Sequence, residues 1–279
     1  MKFRIVFPVF VAAVALAGCD KKSSGNLAPS ATPLAAPTAA AGQTALAIDT
    51  AGSKVTFLMN APIEKIFGEA GDASKGDVFV NPKDVGKTTA LIKVDLDKLV
   101  LFQQKREDEK SEFGEKVKSD KQNEHARNWL EIGSDAPADV REKNRWAEFK
   151  IEKLENVSTN DITTLTGAER KVTATAVGDF RLHGRAAKKS AKIEATFKFE
   201  GDKLTGVSVK SVDPVNIGLD EFDVRPREAF GKLAKGTLDT LGSKVAKEAP
   251  VVIEFNAKAA GAGAGTGTGS GTTTGSGSY

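Results

Sequence analysis

ERKVTATAVGDFRLHGRAAKKSAKIEATFKFEG, residues 169–201, is the longest run in which side chains alternate in character, and its reading decides the fold. Val172, Ala174, Ala176, Gly178, Phe180 and Leu182 share one face, while Lys171, Thr173, Thr175, Asp179 and Arg181 occupy the other. A period of two is the signature of a strand with one buried face. His183-Gly184-Arg185 interrupts the run. Beyond it Ala191, Ile193, Ala195, Phe197 and Phe199 point inward, against outward Lys192, Glu194, Thr196 and Lys198. The stretch therefore predicts a β-hairpin of well-specified register. Asp179, Arg181 and Lys192 are expected to be solvated. The inward face is apolar yet small, with Ala174, Ala176, Gly178, Ala191 and Ala195 filling little volume. Either other strands supply large side chains opposite them, or a space remains.

Further strands flank this hairpin on both sides. Val55, Phe57 and Met59 share one face of residues 53–59. Residues 63–80, with Gly68, Gly71 and Gly76, read as a further hairpin ended by Asn81-Pro82. Ala90, Ile92, Val94 and Leu96 alternate, as do Ala147, Phe149 and Ile151, then Val207, Val209 and Ser211, and finally Val251, Ile253 and Phe255. Residues 103–131 are dense in Lys, Glu and Asp and read as a helical excursion interrupted near Gly114. His125, Trp129 and Ile132 form a stripe there at helical spacing; the charges are read as a solvated helix face. Residues 226–248 are ambiguous between helix and loop because Gly231, Gly236 and Gly242 lower helix propensity. About eight to ten strands with one polar face close most simply into an antiparallel barrel or sandwich.

The ends differ in composition. Residues 1–18 carry Lys2 and Arg4, then an apolar run and small residues, the pattern of a secretion signal too short for a permanent membrane span. Leu16-Ala17-Gly18-Cys19 resembles a bacterial lipobox, which implies acylation of Cys19 and attachment to the cell envelope facing the periplasm. Asp20 resembles an inner-membrane retention signal, but the sequence leaves the choice of membrane open. Residues 19–44, rich in Ala, Pro and Ser, read as the anchor and a linker. Such a linker would reach roughly 75 Å if polyproline-like, or about 25–30 Å if coiled. The globular domain is expected over 45–258, and the Gly/Thr/Ser-rich tail over 259–279 is expected to be disordered. Cys19 is the single cysteine, so an internal disulfide is excluded. The 40 basic and 37 acidic residues nearly balance, and no basic run interleaved with aromatics suggests nucleic acid. Gly86-Lys87-Thr88 fails as a phosphate loop because Asn81 stands where the pattern needs glycine. Asn156-Val157-Ser158 is a chance glycosylation sequon in such a setting.

An ordered series of motifs resembles the YceI-like periplasmic proteins, also called polyisoprenoid-binding proteins. Ile48-Asp49 with Ser53 to Phe57 and Gly68 is similar to that family's first strand and turn. Asn123 to Ile132, ahead of Trp146-Ala147-Glu148-Phe149, resembles its helical segment. Val177 to Arg185 resembles its Gly-X-Leu-Thr-Leu-His-Gly signature, with Phe180 and Arg181 replacing Leu-Thr, and Ile217-Gly218-Leu219 its late Phe-Gly-Leu element. The resemblance implies an all-β, antiparallel, lipocalin-like barrel of about eight strands with a helical insertion, around an apolar tunnel that takes a long amphiphile. The longer charged insertion before His125 is a departure from the pattern.

An amphiphile site needs an apolar tube and a few polar groups at its mouth. Phe57, Ile92, Phe149, Ala174, Ala176, Phe180, Ile193 and Phe197 are the candidates for the tube, with packed core as the simpler role for any one of them. His125 and Trp129 are candidates for the mouth. His125 and His183, the two histidines, lack metal-ligand spacing, so no metal and no cofactor are expected beyond a bound isoprenoid or fatty-acyl lipid. No nucleophile motif or arguable carboxylate pair points to catalysis. The leading expectation is a lipid-anchored envelope protein that binds or carries an amphiphile. The alternatives are an interaction protein with a filled barrel and a lipid-modifying enzyme. Expected partners are the membrane and the lipid, and homodimerisation is left open.

Overall fold

The computed structural model describes residues 27–226 and 247–259. The expected secretion signal and lipobox cysteine Cys19, the ambiguous segment over most of 226–248 and the expected tail beyond Ala259 lie outside the described residues. The elements are β1 (Thr44–Ala61), β2 (Glu64–Gly71), β3 (Ser74–Val80), β4 (Thr89–Asp95), β5 (Val100–Lys105), β6 (Val117–Lys118), α1 (Asp120–Trp129), α2 (Ala138–Asn144), β7 (Trp146–Glu155), β8 (Glu169–Leu182), β9 (Arg185–Glu200), β10 (Lys203–Ser211), β11 (Val215–Gly218) and β12 (Glu248–Ala259).

β8 and β9 are the predicted hairpin, in antiparallel register from Glu169↔Lys198 to Leu182↔Arg185. Its turn is His183-Gly184, both at positive φ (50° and 68°), the conformation that matches the twist of paired strands. From it the pairing runs in both directions, β7, β4, β3 and β1 on one side and β10 and β12 on the other. β12 then pairs with β1, from Leu46↔Ala259 to Phe57↔Val251. The ring is closed: eight antiparallel strands form a lipocalin-like all-β barrel.

The register shift in β1 between Asp49 and Lys54 divides the barrel into two halves. Before it β1 lies against β3; after it β1 lies against β2. β2 and β3 are therefore successive parts of one bent course along β1, which corrects the expectation of a separate hairpin over 63–80. β4 and β5 follow the same rule, pairing with β3 and β2 respectively.

In the closed half the core is packed solid. Leu46, Ile48, Val78, Val80, Leu154, Ile162, Phe197, Phe199 and Phe255 pack with Val172, Ala174, Ala176 and Ala195. Ala174, Ala176 and Ala195 of the hairpin thus have large side chains opposite them, whereas Ala191 borders the cavity of the other half.

The excursion over 103–131 also needs correction. Residues up to Lys105 belong to β5, residues 106–116 contain no helix, and only Asp120–Trp129 is helical. Ser119 starts α1 as its N-cap, its hydroxyl accepting from Gln122 N at 3.3 Å. Acidic and lysine side chains crowd 105–118 without an apolar stripe to bury, so helix propensity there has no packing to act with.

Candidate functional site

β7 pairs with β4 only as far as Asp95↔Trp146, and β5 continues without it. This leaves a break in the wall of the open half, and α1 fills it. Asn123 makes the join: its Oδ1 accepts from Leu101 N (2.9 Å) and its Nδ2 donates to Leu101 O (3.0 Å). One side chain on a helix thereby serves both backbone groups of a strand residue, as a neighbouring strand would. Asn123→Ala is expected to destabilise the protein by roughly 1–3 kcal/mol, because the buried Leu101 N–H loses its partner, while Leu101 O keeps Ser119 N at 3.0 Å. Urea unfolding checks it, and a loss below about 0.5 kcal/mol would show that the join is dispensable.

Behind α1 lies a cavity of about 220 Å³. At ~10–15 Å³ per water-sized group, it takes on the order of 15–20 non-hydrogen atoms. Its wall is overwhelmingly apolar: Val55, Phe57, Met59, Ile66 and Ala70 from β1 and β2, Ile92 and Val94 from β4, Phe149 and Phe180 from β7 and β8, and Val251, Ile253 and Phe255 from β12. Phe57 lies directly over Gly68 on the paired strand, where a Cβ would stand 2.1 Å from the ring. Glycine there lets the ring lie flat as wall.

Of the residues expected in the tube, Phe57, Ile92, Phe149 and Phe180 line this cavity. Ala174, Ala176, Ile193 and Phe197 do not; they belong to the packed core of the closed half. The correction has a simple cause. Alternation shows which face is inward but not at which depth the barrel widens, and the widening follows from β1 changing partners. Val55 and Met59 were legible as sharing the face of Phe57, whereas Ile66, Ala70 and Ser74 were not singled out.

His125 and Trp129 line the cavity as expected of the mouth, with rings stacked at 6.0 Å between centroids and 10° between planes. Burial beside this apolar wall pushes the His125 pKa below its usual 6.5, and Lys121 adds to the effect. The ring is therefore neutral at pH 7. As pH falls below about 6.5, the unfolded chain takes up the proton before the folded one, so this histidine contributes a loss of stability in that window. Uptake of an uncharged apolar probe is expected to be constant between pH 8 and 7 and to fall once the ring charges at lower pH. His125→Phe should flatten that profile; an unchanged acid limb in the variant would place the titrating group elsewhere.

His183 has a different role. Buried in the hairpin turn, it donates from Nδ1 to Phe222 O (3.1 Å) and meets Glu131 Oε2 through Nε2 (2.8 Å), linking the turn to the end of α1 and to the 219–224 loop. Among the described residues, no group of three or more His, Cys, Asp or Glu side chains is placed to hold a metal.

The outer face opposite the cavity wall holds a second constellation that sequence reasoning missed. Lys93, Glu148 and Arg181 stand side by side on β4, β7 and β8. Glu148 and Arg181 are each only 1% exposed, which corrects the expectation that Arg181 is solvated. Their cover is the segment expected to be a linker. Ala28 is buried with Leu130, Leu182, Ile217 and Phe222, and Ser30 bridges to Arg185. Ala31 N donates to Gly184 O, and Ala186 N to Pro29 O. Leu34 N donates to Glu148 Oε2 (2.8 Å), while Arg181 donates to Ala31 O (3.3 Å) and Lys143 O (2.8 Å). Composition pointed to a free linker, but small residues and a proline that only accepts let this backbone lie close to the sheet as a strap. Within 19–44, the part from Leu27 to Leu34 is thus docked on the barrel.

No sequence profile of a known family matches the chain, and no curated protein matches it. Among solved structures, the fold is similar to that of a polyisoprenoid binding domain from Saccharophagus degradans implicated in plant cell wall breakdown. That domain is 14% identical; the match covers 77% of this chain and 99% of that chain, with a TM-score of 0.47.

Proposed function

We propose that this protein binds or carries an apolar amphiphile, of isoprenoid or acyl-chain type, inside its barrel, held at the bacterial envelope through acylated Cys19 and without turnover. The observation that carries the reading is the cavity in the open half, lined mainly by apolar side chains, with Ser74 on β3 and Lys189 and Ser190 on β9 among its few polar lining residues. A filled-barrel interaction protein fits the closed half but not this space. The lipid anchor rests on the lipobox-like Leu16 to Cys19, and the isoprenoid class on the motif series around Asn123 to Ile132 and Val177 to Arg185.

Expression in a bacterial periplasm with Cys19→Ser, detergent-free purification and native mass spectrometry with lipid extraction test it. A stoichiometric bound lipid is the expected result. A protein that arrives empty and also refuses added long-chain amphiphiles would overturn the carrier reading.

A further inference from the structure

Ser74 opens β3, whose inward row continues through Gly76, Val78 and Val80. It is the position at which that row passes from cavity wall to packed core: Ser74 lines the cavity, whereas Val78 and Val80 belong to the closed half. The residue is 1% exposed, and its hydroxyl has no hydrogen-bond partner among the described residues. A buried hydroxyl without a partner is costly and uncommon, of order 1–3 kcal/mol. An alanine would pack there without that cost. Ala70, which precedes it in the wall, is likewise small.

The charges near the cavity restrict what can meet this hydroxyl. Lys93 and Arg181 face outward and are engaged with Glu148, and Lys189 is paired with Glu221 at 2.6 Å. A carboxylate or phosphate beside Ser74 would therefore be buried without a cation from these residues, which is strongly unfavourable. A neutral oxygen needs only one hydrogen bond.

We infer that Ser74 is the polar anchor of the cavity and selects a long apolar chain ending in a neutral oxygen, a hydroxyl or carbonyl, which enters oxygen end first. The inference rests on the carrier reading and deepens it. Ser74 Oγ donates to a ligand carbonyl or exchanges a hydrogen bond with a ligand hydroxyl, while the chain runs outward between Ile92, Phe149 and Phe57 toward α1.

The test uses delipidated protein and two probes of equal chain length, hexadecan-1-ol and hexadecane, each displacing the fluorophore N-phenyl-1-naphthylamine. Wild type should bind the alcohol about 5–10-fold more tightly than the alkane, and Ser74→Ala should abolish that preference with alkane affinity unchanged. Hexadecyl phosphate should bind no tighter than the alkane. A preference that survives in Ser74→Ala, or none in wild type, overturns the inference and means that the hydroxyl is served by a retained water. Failure of both neutral probes to bind wild type would instead overturn the carrier reading and the anchor with it.

Discussion

Arg181→Ala is expected to destabilise the protein by about 3–5 kcal/mol, the loss typical of removing one member of a buried ion pair. At ~2–4 °C per kcal/mol for a domain of this size, the midpoint of thermal unfolding should fall by roughly 6–20 °C. The reason is what the substitution leaves behind. Glu148 is equally buried, and with Arg181 gone its charge retains only Lys93, 2.8 Å from Oε1, and the Leu34 N–H. Ala31 O and Lys143 O lose their guanidinium donor at the same time. Lysine is a poor substitute, since one ammonium does not reproduce a planar fork that spans the strap, α2 and β7. Arg181→Met combined with Glu148→Leu removes both charges and should recover most of the loss. Chemical denaturation of the single and double variants decides the matter. A single variant within 1 kcal/mol of wild type would mean that solvent reaches Glu148 and that the strap does not seal the pair.

Ala70→Phe and Ala176→Phe should have opposite consequences although both place a ring on an inward face. Ala70 borders the cavity, so the added ring, about six further non-hydrogen atoms, occupies a large share of a space that takes roughly 15–20. Uptake of a long-chain probe should drop at least tenfold with little change in stability. Ala176 does not line the cavity; it is packed with Leu154 and Ala174 in the core cluster, next to Ala191 at the cavity's border. There a ring has no space, and the expected result is a loss of about 1–3 kcal/mol or more, with uptake altered only through unfolding. Parallel measurements of probe affinity and urea midpoint separate the two. If Ala176→Phe abolishes uptake in a stable protein, the chain runs deeper than the cavity found here.

The hairpin from Glu169 to Gly201 was fully legible, down to its turn, because strict alternation over both arms leaves one register. The number of half-buried strands leaves barrel and sandwich open, and the barrel follows from the family resemblance; Phe57, Ile92, Phe149 and Phe180 read as inward together with Ala174, Ala176, Ile193 and Phe197, with nothing to tell the two sets apart. What alternation does not encode is depth. Ala174 and Ile92 read alike in a local window, yet one meets Ile193 and the core while the other faces space. That difference arises at the register shift in β1, a property of three strands distant in sequence. Arg181 was misread for a related reason. Its face points outward as alternation requires, but the burial comes from residues 27–34, about 150 positions earlier, whose Ala-, Pro- and Ser-rich composition between Leu27 and Leu34 shows no strand or helix period.

The strap also changes the mechanics of attachment. Were residues 19–44 free, the barrel could rotate at a distance from an anchored Cys19. With Ala28 fixed beside Leu130, Ile217 and Phe222, which belong to the open half, only the residues between Cys19 and Leu27 remain as a leash. Their contour cannot exceed ~3.3–3.6 Å per residue, roughly 26–29 Å in all. On the proposed acylation, that restricts how far the barrel can turn away from the bilayer and keeps the cavity end on the membrane side. A lipid would then pass between bilayer and barrel over a distance comparable to its own length.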